Sequence, residues 1–200
     1  TILRSIGFGE DGKLYAGAQD ELGYFAPDQR GRLQFTSLKN LLPGTAKNFP
    51  DVWQLEVTGS EVFFRTNKTI FKFSGGKFTV YPSSSAWLSM HQYRAKALAH
   101  DAETGLLLYE NNRWQTLIPK ALLPENFFIT DIVAYKKDTG LLCTEKNGFY
   151  LLTQNKLIPF TVTSADFNPF QHFTSLSMID DNSFLAGTYF NGIYHINRQG

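Results

Sequence analysis

Five stretches of this chain repeat one pattern, and that repeat constrains its fold more than any other feature: LYAGAQDELGYFAP (14–27), VFFRTNKTIFKFSG (62–75), ALAHDAETGLLLYE (97–110), LLCTEKNGFYLLTQ (141–154) and FLAGTYFNGIYHIN (184–197). Each has a short apolar run, a few polar or turn-forming residues, then a second apolar or aromatic run. Taking Gly23, Thr69, Gly105, Gly148 and Gly192 as equivalent points, the units lie 46, 36, 43 and 44 residues apart. A period of about 40–50 residues suits units of four short strands, and it exceeds that of the common helical repeats. The Gly, Asn and Asp residues between the two runs supply the positive φ or tight turns that a short hairpin needs.

The remaining strands fall in order. A third run follows each hairpin (GRLQFTSL, GKFTVYP, NRWQTLIP, NKLIPFT), then a longer loop rich in Pro, Ser or Asn, then the run that opens the next unit (VWQLEVT, WLSMHQY, ITDIVAY, FTSLSMI). Four hairpin-linked strands make one blade of a β-propeller. The expected fold is therefore all-β: about four and a half blades of four-stranded antiparallel sheet, part of a larger propeller. The units run roughly 1–50, 51–86, 87–128, 129–172 and 173–200. A five-bladed ring closed by residues 1–8 also fits; a seven-bladed ring truncated on both sides is the expectation here. Inner strands such as Val62-Phe63-Phe64 and Leu141-Leu142-Cys143 should be apolar on both faces. The segment AKALAHDAE (95–103) comes nearest to a helical pattern, but its place in the repeat makes it a strand. Most aromatics, Tyr24, Phe71, Phe149 and the equivalent Ile193 included, should pack between sheets.

Composition agrees and narrows the function. Aromatics make up 15% of the chain, 18 Phe and 9 Tyr against 2 Met, which favours pleated, half-buried surfaces. The net charge is +1, with no basic stripe to displace counterions from phosphates, so nucleic acid is not an expected partner. No apolar run reaches the roughly 18–20 residues of a membrane span, and the first residues start in a strand pattern rather than a signal peptide. The chain reads as a segment cut from something longer. Its single cysteine, Cys143, sits in an apolar run and should be a buried, unreactive hydrophobe.

The segment GKLYAGAQDELGYFAPDQRGRLQFTSL resembles the regulator-propeller repeat of large Bacteroidetes-type membrane sensors with a three-tyrosine domain, and NSFLAGTYFNGIYHIN (182–197) is a similar match. The second and third units depart from that pattern: RTNKTI lacks both glycines, and AHDAETG lacks the Gly-Thr pair. The resemblance implies an extracytoplasmic (periplasmic) propeller of a membrane-anchored two-component or related regulator, with a kinase or DNA-binding module outside this chain. It also implies a homodimer formed through the parent protein.

Signatures of catalysis are scarce. The four histidines (His91, His100, His172, His195) are not at metal-ligand spacings, and no nucleophile elbow, Walker loop or dinucleotide fingerprint occurs. No catalytic residue, metal or cofactor is expected. In a propeller, the long loops (39–51, 82–88, 119–128, 162–171) and the hairpins between second and third strands share one face. That face gathers the candidate ligand-binding residues Gln19, Asn67, Trp87, His91, Asp101, Tyr189 and Asn191. Polar and dotted with aromatics, it suits an oligosaccharide or a peptide. The leading expectation is a non-catalytic sensor that recognises glycans. The alternatives are a propeller enzyme of the lyase or quinoprotein type and a generic protein-interaction propeller.

Overall fold

The computed structural model describes residues 1–164 and 167–198. Five antiparallel sheets follow one another along the chain, four of four strands and a last of three, each in simple sequential order. Among the described residues there is no α-helix, only three short 3₁₀ turns at Lys39–Leu41, Gly44–Lys47 and Lys120–Leu122. No helix is long and apolar enough to cross a membrane. The chain divides into two compact units, Thr1–Glu103 and Thr104–Gly200.

The first unit opens with β1 (Leu3–Phe8), β2 (Leu14–Ala18), β3 (Glu21–Pro27) and β4 (Leu33–Ser37). A second sheet follows: β5 (Gln54–Thr58), β6 (Glu61–Arg65), β7 (Thr69–Ser74) and β8 (Lys77–Pro82). The hairpin β9 (Trp87–Tyr93) and β10 (Lys96–Asp101) closes the unit, and β10 confirms the strand reading of 95–103. Period-two alternation sends Tyr15, Gly17, Leu22 and Tyr24 to one face of the first sheet. There they meet Leu55, Val62, Phe64 and Phe71 of the second. Tyr15 packs edge-on against Phe64 with ring centroids 6.4 Å apart, a favoured quadrupole arrangement. Glycine makes the approach possible. A Cβ on Gly7 would lie 2.6 Å from Leu55 Cδ2, and one on Gly17 2.4 Å from Val52 Cγ1. Polar side chains tie sheet to sheet as well: Gln54 Oε1 accepts from the Met90 amide at 2.9 Å, and Ser5 Oγ donates to the Val52 carbonyl at 3.2 Å.

The second unit begins with β11 (Gly105–Glu110) and β12 (Arg113–Pro119), followed by β13 (Ile129–Lys136), β14 (Thr139–Thr144), β15 (Phe149–Thr153) and β16 (Lys156–Phe160). It ends on β17 (Phe173–Met178), β18 (Ser183–Thr188) and β19 (Ile193–Asn197). Its core joins Tyr135, Leu141, Cys143 and Phe149 to Phe173, Phe184, Ala186 and Ile196. Phe149 and Phe173 have ring centroids 4.6 Å apart. Asp131 on β13 accepts the Leu176 amide of β17 at 2.8 Å, the counterpart of the Gln54 tie. Cys143 is fully buried in this core. Ile193 departs from the inter-sheet role expected for it. It is 69% exposed, because it lies on the outward face of the last sheet, away from the core.

Candidate functional site

Each hairpin between the second and third strands is bonded by its backbone to a long loop. Asp20 N donates to Pro50 O, Trp87 N to Asn67 O, Ala102 N to Ala86 O, Glu145 N to Phe128 O and Tyr189 N to His172 O. The expected gathering of hairpins and long loops therefore holds within each unit. Residues 165 and 166 of the loop 162–171 lie outside the described residues.

One recurring device shapes these hairpins. Thr66, Thr144 and Thr188 each stand just past or at the end of a second strand, and each hydroxyl donates to a carbonyl across the turn while accepting a backbone amide. Thr188 Oγ1 donates to Gly192 O and accepts from Asn191 N, both at 2.9 Å. Thr144 repeats this with Gly148 O and Asn147 N, both at 2.8 Å, and Thr66 with Thr69 O and the Lys68 amide. Such side-chain-to-backbone bonds fix a turn locally. With Gly192 at φ 74°, the turn holds the two residues after Thr188 away from the sheet.

In the second unit those two residues are Tyr189 and Phe190, 71% and 79% exposed. Their rings meet edge to face at 4.6 Å between centroids. Asn191, exposed, donates its side-chain amide to Gln171 Oε1 at 2.9 Å, and Gln171 in turn bonds the Tyr194 hydroxyl. Phe170, 74% exposed, leads directly into Gln171 and His172, the loop residues that hold the hairpin. His172 Nδ1 lies 3.2 Å from Glu145 Oε1 on the neighbouring hairpin. Three exposed rings thus stand on the hairpin and loop that also carry the hydrogen-bonded Asn191 and Gln171 amides and the His172 member of the His172–Glu145 pair. Large apolar side chains left this open are characteristic of binding surfaces.

The first unit arranges its candidates differently. Gln19 is exposed and forms a bridge with Asp51. Asn67 is exposed, and its side-chain Oδ1 accepts from Arg65 Nη1 at 3.3 Å. Trp87, His91 and Asp101 differ from the expectation of side chains open to a ligand: they are 5%, 6% and 6% exposed. The Trp87 indole donates to the Tyr81 carbonyl at 3.1 Å, sealing the start of β9. His91 sits within the β9–β10 pair opposite Leu98. Asp101 accepts from Ser83 Oγ at 2.5 Å, Ser85 Oγ at 3.0 Å and the Glu103 amide at 3.1 Å, so its carboxylate pins the 82–88 loop.

Sequence reasoning misses Arg65, which sits at the centre of this group. Its guanidinium donates to Gln54 Oε1 (2.7 Å), Asn67 Oδ1 (3.3 Å) and the Trp87 carbonyl (2.7 Å), and burial pulls its pKa down to about 10. The continuous apolar run Val62-Phe63-Phe64, buried on both faces and ended by an arginine within the same strand, is the signal that could have flagged it. Arg65 joins Asn67 and Trp87 into a polar clamp between strands.

The first unit's mouth is thus a closed hydrogen-bonded lattice, and the second unit's is an open aromatic turn. The fold around both is a β-propeller. A comparison with protein-family models and with curated proteins finds no match. Among solved structures, the WD40 β-propeller domain of Doa1 superposes with a TM-score of 0.70 at 11% identity, over 98% of this chain and 65% of that one. Virginiamycin B lyase from Staphylococcus aureus gives 0.66 at 14% identity, over 98% and 70%. PorZ, a surface component of the type-IX secretion system of Porphyromonas gingivalis, gives 0.66 at 15% identity, over 97% and 32%. The chain therefore spans about two thirds of the first two propellers and a third of the last. At these identities the likeness is one of blade architecture.

Proposed function

We propose that this chain is a non-catalytic, ligand-binding propeller segment whose ligand is an oligosaccharide taken up on the Tyr189–Phe190 turn. The observation that carries this reading is the pair of exposed rings on a turn that Thr188 and Gly192 hold rigid, beside the Asn191 and Gln171 amides. A sugar ring offers an apolar face of C–H groups and a rim of hydroxyls. Exposed aromatic faces flanked by a few oriented polar groups complement both.

The regulator-propeller resemblance of the sequence supports the wider setting. In it, the segment belongs to the extracytoplasmic part of a membrane-anchored bacterial regulator and reports ligand to an output module elsewhere in the parent protein.

The test is a titration of the chain with neutral oligosaccharides of the malto-, xylo-, manno- and laminari-series. At least one should bind, and Tyr189→Ala should weaken it about tenfold or more, equivalent to about 1.4 kcal/mol. Equal affinity in the wild type and in a folded Tyr189→Ala chain would contradict the proposal.

A further inference from the structure

Arg65 is a buried cation for which the described residues supply no anion. It is 5% exposed, and its guanidinium donates from Nε and Nη1 to Gln54 Oε1, Asn67 Oδ1 and the Trp87 carbonyl, all neutral acceptors. No acid among the described residues pairs with it, and the N–H groups on Nη2 meet no acceptor among them. Burial alone moves its pKa, downward; a carboxylate close by would have opposed that shift. Withdrawing a charge from water is costly unless an opposite charge offsets it.

The repeat has a place for the missing acid and does not use it. Gln54 lies directly across from Arg65 in the β5–β6 pair, and its Oε1 also accepts the Met90 amide of β9 at 2.9 Å. Asp131 holds the corresponding place in β13: it lies across from Cys143 and accepts the Leu176 amide of β17 at 2.8 Å. A carboxylate therefore fits this position and makes the same tie to the next sheet. Yet the acid stands opposite a neutral thiol, and the neutral amide stands opposite the arginine. Two other acids of the first unit are engaged elsewhere, Asp51 by Arg4 at 2.8 Å and Asp101 by the Ser83 and Ser85 hydroxyls.

The clamp reaches solvent at Asn67, which is exposed. With its Oδ1 committed to Arg65, its side-chain Nδ2 is the remaining donor. Lys68, the next residue of the turn, is also exposed, and its ammonium bonds the Ser85 carbonyl, again a neutral oxygen. We propose that Arg65 anchors a carboxylate-binding site in the first unit, where a ligand's carboxylate is received by Arg65 Nη2 and Asn67 Nδ2. One buried positive charge calls for one negative charge, which a carboxylate supplies and a phosphate dianion exceeds. The Lys68 ammonium adds attraction for an approaching anion. This site is separate from the aromatic turn of the second unit and stands whether or not that turn takes an oligosaccharide.

The test is a titration of the isotope-labelled chain with sodium acetate, followed by nuclear magnetic resonance, with chloride and phosphate titrations at matched ionic strength beside it. Saturable shifts should be largest at the Arg65 Nε–H, the Asn67 side-chain amide and the backbone amides of residues 66–68, and the Tyr189–Phe190 turn should stay still. Gln54→Glu can still accept the Met90 amide while setting a carboxylate against the guanidinium, so it should weaken acetate binding at least about tenfold. Arg65→Met, which keeps the bulk without the charge, should do the same. Acetate should also raise the melting temperature of the wild type and leave that of Gln54→Glu unchanged. The wild-type map decides the matter if either variant fails to fold. No saturable shifts, or shifts centred away from Arg65 and Asn67, overturn the proposal. Undiminished acetate binding by a folded Gln54→Glu chain overturns it too, because the ligand then replaces no missing counter-charge. Equal or tighter binding of chloride or phosphate overturns the assignment to a carboxylate.

Discussion

Tyr189 and Trp87 show how two aromatics at different places in the repeat take opposite roles. Trp87 begins a strand, where its indole finds the Tyr81 carbonyl and its ring is covered. Tyr189 stands on a turn that directs it outward. Trp87→Ala is therefore expected to lower stability by about 3–5 kcal/mol. Tyr189→Ala should change it by no more than about 0.5 kcal/mol, and chemical denaturation of both variants checks the contrast. Cys143 and Tyr15 give a pH signature. Burial pushes the Cys143 thiol from 9.0 up to about 12 and the Tyr15 phenol from 10.0 up to about 12. In the unfolded chain both ionise near their ordinary values, so above pH 9 the unfolded state holds fewer protons than the folded one. Stability is fully present below pH 9 and falls as pH rises toward 12. Denaturation midpoints measured across that range should decline, and less so in a Cys143→Ala chain. The native thiol should likewise resist a thiol reagent at pH 8 and react on unfolding.

At the level of strands and turns, the repeat was legible because its cause is local. Alternating apolar runs separated by turn residues dictate a hairpin wherever they occur, and five such units set the strand order. The site was legible only in part. Tyr189 and Asn191 stand out as an aromatic and an amide on a turn, but the outward projection of Phe190 and Phe170 depends on threonine caps and loop bonds that no spacing rule announces. The inward turn of Asp101 follows from Ser83 and Ser85 in a loop far from it in sequence. Arg65 escaped notice because an arginine at a strand end normally faces solvent. Removing a cap tests this scale: Thr188→Val breaks two hydrogen bonds of the turn and should cost about 1 kcal/mol or somewhat more. Oligosaccharide affinity should fall too, although Thr188 is not one of the rings. Gly17→Ala places a methyl against Val52 and should cost about 1–3 kcal/mol by forcing the first two sheets apart, read from its melting temperature.

Over the whole molecule, the account rests on a division of labour. Buried aromatic seams and polar ties such as Gln54–Met90 and Asp131–Leu176 stack one sheet on the next, and recognition is left to loops held by hydrogen bonds. Its central claim is that ligand is recognised at the aromatic turn of the second unit. The most direct measurement is amide chemical-shift mapping of the isotope-labelled chain during titration with a binding oligosaccharide. The account expects the largest shifts at residues 168–172 and 188–192, with Glu145 and Lys146 next and the Arg65–Asp101 lattice unmoved. Shifts centred on residues 65–68 and 83–87, or saturable binding that leaves the Tyr189–Phe190 turn unperturbed, would contradict it.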